Sequence, residues 1–334
     1  MAATIKDIAQ KTGLGLATIS SYLNGGKVRE PNRVLIEQAI KELHYEVNET
    51  ARNMRTNKTR TVGMIVPDLT NEFYAGIVSE TETVLRNHGY ATIICDCRND
   101  LKLEAEAAEF LSRKRVDAVI DIPIESDGSH LHLFKDGNVP ILLIDREIKD
   151  LNCDCVLVDD AAAAKNAVNS LMKMGHTRIG ILCGPEDVYT ASERLKGFRA
   201  AYSETSHRLK EDWIAHCGYT IEESAQAMGQ LMRKCPELTA VFVANYELTV
   251  GAILGVNELG LRIPKQLSVI GFDNTEFAKA VTPKLSIVKR PVKEIAEKAA
   301  ETILNRLGGD KETPQTWYLQ ATTIDGESVR ECSF

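Results

Sequence analysis

The chain lacks any run of about 18 apolar residues, so no segment of it reads as a membrane span. The opening MAATIKDIAQ lacks an apolar stretch behind a basic start, so it does not read as a secretory signal. Cysteine is sparse, 8 in 334 residues, and without a signal the expectation is reduced thiols and a cytoplasmic location. Cys95-Asp-Cys97 and Cys153-Asp-Cys155 lack both the two-residue spacing and the neighbouring histidines of a zinc site, so no metal is expected. On a strand, i and i+2 share a face, and buried free thiols there behave as small hydrophobes. No Ser/His/Asp arrangement, phosphate loop or metal set emerges. The expectation is therefore no catalysis and no cofactor.

Charge is unevenly spread. Net charge is −7, yet residues 1–60 carry 10 Lys+Arg against 6 Asp+Glu, leaving 30 against 41 for the remainder. A basic head on an acidic body suits a polyanion-binding module joined to something else. The head reads as three short helices. Ile5, Ile8 and Ala9 form one apolar stripe behind Thr4, a natural N-cap. Leu16, Ile19 and Leu23 form a second, and Ile36, Ala39, Ile40 and Leu43 a third after Pro31. From Thr61 the texture changes to apolar strands alternating with helices. TVGMIVP, YATIIC, DAVIDI, PILLID, CVLVD, RIGILCG, AVFVAN and LSVIGFD are the strands. Helices are expected near 72–87, 101–113, 161–174 and 292–307. This pattern predicts parallel sheets covered on both faces, and its length predicts two α/β lobes.

The segment GLGLATIS (residues 13–20) admits two readings. A dinucleotide loop needs a preceding strand and a third glycine. Here a helix precedes Gly13 and position 18 is Thr, which disfavours that reading. A helix-turn-helix needs a small residue where its helices cross, a turn residue tolerant of positive φ and a branched apolar anchor. Ala9, Gly13 and Ile19 supply these.

TIKDIAQKTGLGLATISSYLNG, ARNMRTNKTRTVGMIVPD, MGHTRIGILCGP, ERLKGF and SVIGFDNTEFA appear in order, from Thr4 to about residue 325. Taken together, the chain resembles the LacI/GalR family of bacterial transcription regulators. The resemblance implies a helix-turn-helix head over 1–47, a hinge helix over 48–60 and a two-lobed core like periplasmic sugar-binding proteins over 61–334. The first lobe is expected over about 61–160 and 290–320, and the second over about 161–289 and 321–334. It also implies how DNA is read. The second helix enters the major groove, with Leu16 and Ala17 at base edges and Thr4, Thr18, Ser20, Ser21 and Asn24 near bases or phosphates. Leu16 and Ala17 cannot hydrogen-bond bases and would pack on thymine methyls. Ser21 stands where the family often has arginine. In the hinge, Ala51, Met54 and Arg55 would share a face. Met54, where leucine is usual, would wedge into the minor groove. A homodimer on a pseudo-palindromic duplex follows. The absence of leucine heptads near the C-terminus favours a dimer over a tetramer.

Ligands of doubly wound sheets sit beyond the carboxyl ends of the strands. Asn71 and Phe73, Asp145, Ser192 and Arg194, Asn245 and Asp273 follow apolar runs and match family effector positions; Trp213 and Tyr246 are further aromatic candidates. Carboxylate, guanidinium and amide groups suit the hydroxyls of a polyol, and aromatic rings suit the apolar face of a sugar. A small effector, a sugar by expectation, would thus control DNA affinity. A purine or protein corepressor is the alternative, as is a cytoplasmic solute-binding protein with no regulatory role.

Overall fold

The computed structural model describes residues 3–23, 26–45, 58–135 and 137–332. The chain divides into two compact units, Met1–Thr59 and Arg60–Phe334.

The first unit holds α1 (Ile5–Thr12), α2 (Leu16–Leu23) and α3 (Glu30–Leu43). Thr4 precedes α1, and the Asp7 carboxylate accepts from its backbone N–H and its hydroxyl, both at 2.7 Å. Gly13 closes α1 at φ +71°, in the left-handed region where a side chain is strained, and its N–H donates to Ala9 O. Ile8, Ile19, Ile36 and Ala39 form the buried centre, flanked by Ala9, Leu14, Leu23 and Ile40. The three stripes of the sequence therefore converge on one small core, Leu16 of the second stripe excepted.

The second unit begins with β1 (Thr61–Val66), α4 (Glu72–Asn87), β2 (Ala91–Asp96), α5 (Leu101–Lys114), β3 (Ala118–Asp121), α6 (His132–Lys135), β4 (Ile141–Ile144) and β5 (Asp154–Val158). It continues through α7 (Asp160–Lys173), β6 (Ile179–Cys183), α8 (Tyr189–Ser203), β7 (Ile214–His216), α9 (Ile221–Lys234) and β8 (Ala240–Val243). Then come α10 (Tyr246–Glu258), β9 (Ser268–Phe272), α11 (Thr275–Ala280) and β10 (Ser286–Lys289). The chain ends with α12 (Val292–Leu307), β11 (Thr316–Leu319) and β12 (Thr322–Ile324).

The strands make two six-stranded sheets, ordered β11-β5-β4-β3-β1-β2 and β12-β10-β9-β8-β6-β7. All neighbours are parallel except β10 and β12. Each sheet anchors a lobe. In the first, Val62, Met64, Ile120, Leu142 and Val156 face α4 and α12, while Ile65, Val119, Leu143 and Leu157 face α5. Burial on both faces is why these strands carry apolar runs rather than alternation. The sulfurs of Cys97 and Cys155 pack in the α5-side core with Cys95 and Cys153 at its margin. In the second lobe α9 and α10 cross so closely that a methyl on Gly255 would sit 2.5 Å from Ala225 O. Among the described residues no helix is long and apolar enough to cross a membrane.

Three stretches pass between the lobes: Asp159 before α7, Arg290–Pro291 before α12, and Gln320–Ala321 between β11 and β12. Asp159 N–H donates to Leu319 O at 2.9 Å, so two of the passages run side by side.

His176 ties the end of the chain to the second lobe. Its ring is fully buried, with Nε2 3.0 Å from Arg330 O and Nδ1 2.9 Å from Thr239 Oγ1. The carbonyl requires Nε2–H, so a neutral ring donates to Arg330 and accepts from Thr239. Burial pushes the His176 pKa below its ordinary value. A depressed folded-state pKa gives stability that is complete above the unfolded value, near 6.5, and is lost as pH falls through the folded one. The melting temperature is expected to fall between pH 7 and pH 5, and His176→Asn to melt lower at pH 7 but with a flatter profile. Parallel profiles in a thermal scan would remove His176 from the acid response.

Candidate functional site

The head presents α2 by its first residues. Leu16 is 47 % exposed and Ala17 is exposed, while Thr18, Ser20 and Ser21 are half-buried. Ile19 alone in α2 is fully buried, so it anchors the helix and leaves the N-terminal turn outward. Leu16 is therefore not part of the head core. It is a large apolar side chain on a surface where most residues are polar, as contact with thymine methyls requires.

The second unit holds a cavity of about 420 Å³ at the carboxyl ends of both sheets. Asn71, Tyr74, Asp145 and Arg146 line it from the first lobe; Thr190, Arg194, Tyr219, Asn245 and Glu247 line it from the second. Asn71 Nδ2 donates across it to Glu247 Oε1 at 2.7 Å. Asn71 also caps α4 and Asn245 caps α10, each accepting a backbone N–H within its own helix. Both are fixed by their helices before any ligand is considered.

Arg290 lies at one of the lobe passages and is 5 % exposed. Its Nη1 donates to Asp145 Oδ1 at 2.8 Å, and Nε reaches both Asp273 oxygens at 3.0 and 3.1 Å. Asp145 directly follows the first-lobe strand β4 and Asp273 directly follows the second-lobe strand β9. Both hold left-handed backbone, φ +70° and +55°, a region that aspartate tolerates better than bulkier residues. That conformation brings carboxylates from two lobes onto one guanidinium. Below it lies the Phe73 ring, 3.1 Å from centroid to guanidinium carbon. Burial opposes the Arg290 charge, but Asp273 and Asp145 outweigh it and raise the pKa.

Arg194 is the counterpart inside the second lobe. Its Nε donates to Asp160 Oδ1 and its Nη1 to Ala244 O, both at 2.7 Å, and its guanidinium stacks 3.9 Å from the Phe272 centroid. Burial lifts the Asp160 carboxyl above its ordinary value, with Arg194 offsetting only part of the rise. Burial also raises Glu247 and pushes the Tyr74 hydroxyl up to about 12, so Tyr74 offers the cavity a neutral donor.

Two family models match the chain: "Bacterial regulatory proteins, lacI family" over residues 4–48, and "Periplasmic binding proteins and sugar binding domain of LacI family" over residues 59–324. The chain belongs to the LacI family. As a member it is a DNA-binding transcriptional regulator with an effector-binding core. The HTH-type transcriptional repressor PurR of Proteus mirabilis (strain HI4320) is 30% identical over 336 residues, covering 99% of this chain and 98% of the relative. A solved transcriptional regulator CelR–cellobiose complex is 26% identical with a TM-score of 0.75, covering 98% and 99% of the two chains. The Lac repressor dimer bound to operator and the anti-inducer ONPF shares the fold, with a TM-score of 0.85 at 21% identity and coverage of 99% and 100%. These relatives are transcriptional regulators rather than enzymes.

Set in the LacI-family frame, the sequence-predicted residues divide. Asn71, Asp145, Arg194 and Asn245 meet in the larger cavity. Phe73, Tyr246 and Asp273 line a smaller neighbouring cavity of about 230 Å³, on the other side of Arg290. Tyr246 is turned onto Phe277, ring to ring at 6.2 Å, and makes no wall of the larger cavity. Two expected effector residues stand elsewhere. Trp213 is 3 % exposed in the second-lobe core, where its ring packs on Tyr202 and its Nε1 donates to Glu237 at 3.2 Å. It follows the long connection after α8 to the edge strand β7, which carries it away from the strand ends. Ser192 lies in the first turn of α8, half-buried, while Thr190 and Arg194 of the same helix take the cavity-facing positions. In the head, Thr4 is engaged with Asp7 as a helix cap. Asn24, Ala51, Met54 and Arg55 lie outside the described residues.

Sequence reasoning missed Arg290, Glu247, Tyr219 and Thr190. Arg290 had a signal: it directly follows the apolar strand KLSIVK, the same strand-end rule that found Asp145 and Asp273. The other three lie within or before helices, where no local pattern marks them.

Proposed function

We propose that the chain is a repressor that reads a pseudo-palindromic duplex operator as a cytoplasmic homodimer, and that a small sugar-class effector in the larger cavity sets its hold on DNA. The observation that carries this reading is the shared wall. Asp145 and Arg146 from one lobe face Arg194, Asn245 and Glu247 from the other, so a bound molecule would bias how the lobes sit together. Within this wall Arg146 Nε and Glu247 Oε2 are buried without a hydrogen-bond partner. An uncommitted donor opposite an uncommitted acceptor suits hydroxyls, which give and take at once. The CelR–cellobiose complex, 26% identical, supports a sugar. Exposure of Leu16 and Ala17 supports α2 as the reader, and the matching positions Thr4, Thr18, Ser20, Ser21, Asn24, Ala51, Met54 and Arg55 complete the proposed DNA surface.

Selection of bound genomic fragments, followed by release assays with mono- and disaccharides, tests both halves. A recovered palindromic motif whose retention one sugar changes is the expected result. Retention of no fragment, with or without sugars, would leave only a solute-binding protein. A narrower expectation concerns Leu16→Ala. Losing the methyl contacts should reduce discrimination at one thymine position in each half-site on the order of tenfold, within the ~1–3 kcal/mol span of a single mismatch. Unchanged position-specific discrimination in a competition binding assay would take Leu16 out of the reading surface.

A further inference from the structure

A buried trio in the first lobe has no part in the roles above. Glu104 on α5, Asp121 at the end of β3 and His130 in the short turn Ser129–Leu131 each bring one ligating atom to within 4.8 Å of the others. Glu104 is 3 % exposed and Asp121 is fully buried. His130 Nε2 lies 3.0 Å from Asp121 Oδ2, and Glu104 Oε1 accepts from Ile124 N–H at 2.8 Å. Asp121 Oδ1 is buried with no hydrogen-bond partner. Two carboxylates facing one imidazole in a dry interior leave negative charge in excess even when the imidazole is protonated, and uncompensated buried charge is costly. Burial and the neighbouring Asp121 accordingly lift the Glu104 carboxyl to about 7. Arg146 also acts on both carboxylates, but its Nε makes no hydrogen bond to them.

We propose that Glu104, Asp121 and His130 form a binding site for one divalent cation of the zinc class. His130 would ligate through Nε2, and Asp121 and Glu104 each through one carboxylate oxygen. Two oxygens and one imidazole nitrogen are a common set for such ions, with a fourth position left to water. In a tetrahedral site neighbouring ligand atoms stand about 3.3 Å apart. The His130–Asp121 separation of 3.0 Å is close to that, and the remaining spans need to close by about 1.5 Å at most from 4.8 Å. His130 sits on a three-residue turn rather than within a long helix, so this adjustment falls on a short segment. The placement has a consequence for the effector cavity. Ile124, held by Glu104, lines that cavity, so the cation would brace part of its wall.

The test uses the full chain, stripped with a chelator and kept reduced, and titrated with Co²⁺. The expected result is one ion per chain with weak visible bands and no intense thiolate charge-transfer band, displaced by Zn²⁺. Asp121→Asn and His130→Gln should each weaken binding at least tenfold while keeping the far-ultraviolet spectrum. His130→Gln decides alone if Asp121→Asn fails to fold. Absence of binding at micromolar Co²⁺, a thiolate spectrum alone, or unchanged affinity in the folded variants would each overturn the site.

Discussion

Removal of residues 1–59 is expected to abolish operator binding and leave a folded, ligand-responsive body. The head and the remainder are separate compact units, and among the described residues the head core of Ile8, Ile19, Ile36 and Ala39 draws on the head alone. The two sheets and their helices close their own cores within Arg60–Phe334. The truncated chain loses the outward face of α2 and most of the basic excess, leaving 31 Lys+Arg against 41 Asp+Glu from Arg60 onward. Such a surface repels phosphate, so even nonspecific association should weaken. Specific binding in proteins of this kind typically exceeds nonspecific binding by ~10³-fold or more, and that whole margin should disappear. Gel-shift titration at fixed salt, paired with a thermal scan with and without sugar, reads both outcomes. A fragment that keeps operator affinity would overturn the assignment of DNA reading to the head. A fragment that fails to fold would show that the body depends on the head for its own stability.

Much of this architecture was legible because local and global preferences agree. The apolar runs TVGMIV, AVID, ILLI and IGILC are strands buried on both faces, and such strands need no alternation to be recognised. Gly13 was legible because a left-handed turn between two short helices leaves little choice of residue. The strand-end rule supplied addresses in the site, and Asp145 and Asp273 were found by it. It could not supply orientation. Asp145 and Asp273 were expected to hold ligand oxygens, yet both are engaged by Arg290, whose partners lie 145 and 17 residues away. Pairing over such separations follows from how two sheets are hung together, which no window of sequence contains. Trp213 failed for a related reason. An amphipathic ring suits a sugar face and a core margin equally well, and only the fold shows that its indole N–H is taken by Glu237. The buried trio was also illegible, since Glu104, Asp121 and His130 come from a helix, a strand and a turn.

Arg290→Met is expected to produce the largest loss of any single substitution in the body. Methionine keeps much of the apolar stem above Phe73 but removes the donors that bind Asp145 and Asp273. Both carboxylates are nearly inaccessible to water, side-chain exposures being 2% and 10%. Removing one partner of a buried ion pair costs about 3–5 kcal/mol, most of it from the charge left behind. At ~2–4 °C per kcal/mol for chains of this size, the melting temperature should fall by on the order of 10 °C. Arg290→Lys should recover little, because one ammonium cannot hold both carboxylates with the geometry of a planar fork. Adding Asp145→Asn and Asp273→Asn to Arg290→Met should recover a substantial part of the loss, which marks charge rather than packing as its source. The same residue is where structure meets regulation. Arg290 sits on a passage between the lobes and joins the end of β4 in one to the end of β9 in the other. Among the described residues, the side-chain hydrogen bond from Asn71 to Glu247 still spans that side of the cavity. The triple variant, relieved of its unpaired charge but unlinked, changes the cavity wall at Asp145 as well, so it is compared at effector concentrations shown to saturate it; there its DNA affinity should respond at least tenfold less. An unimpaired response in the triple variant, read by operator titration with saturating sugar, would assign the coupling between effector and DNA to other residues.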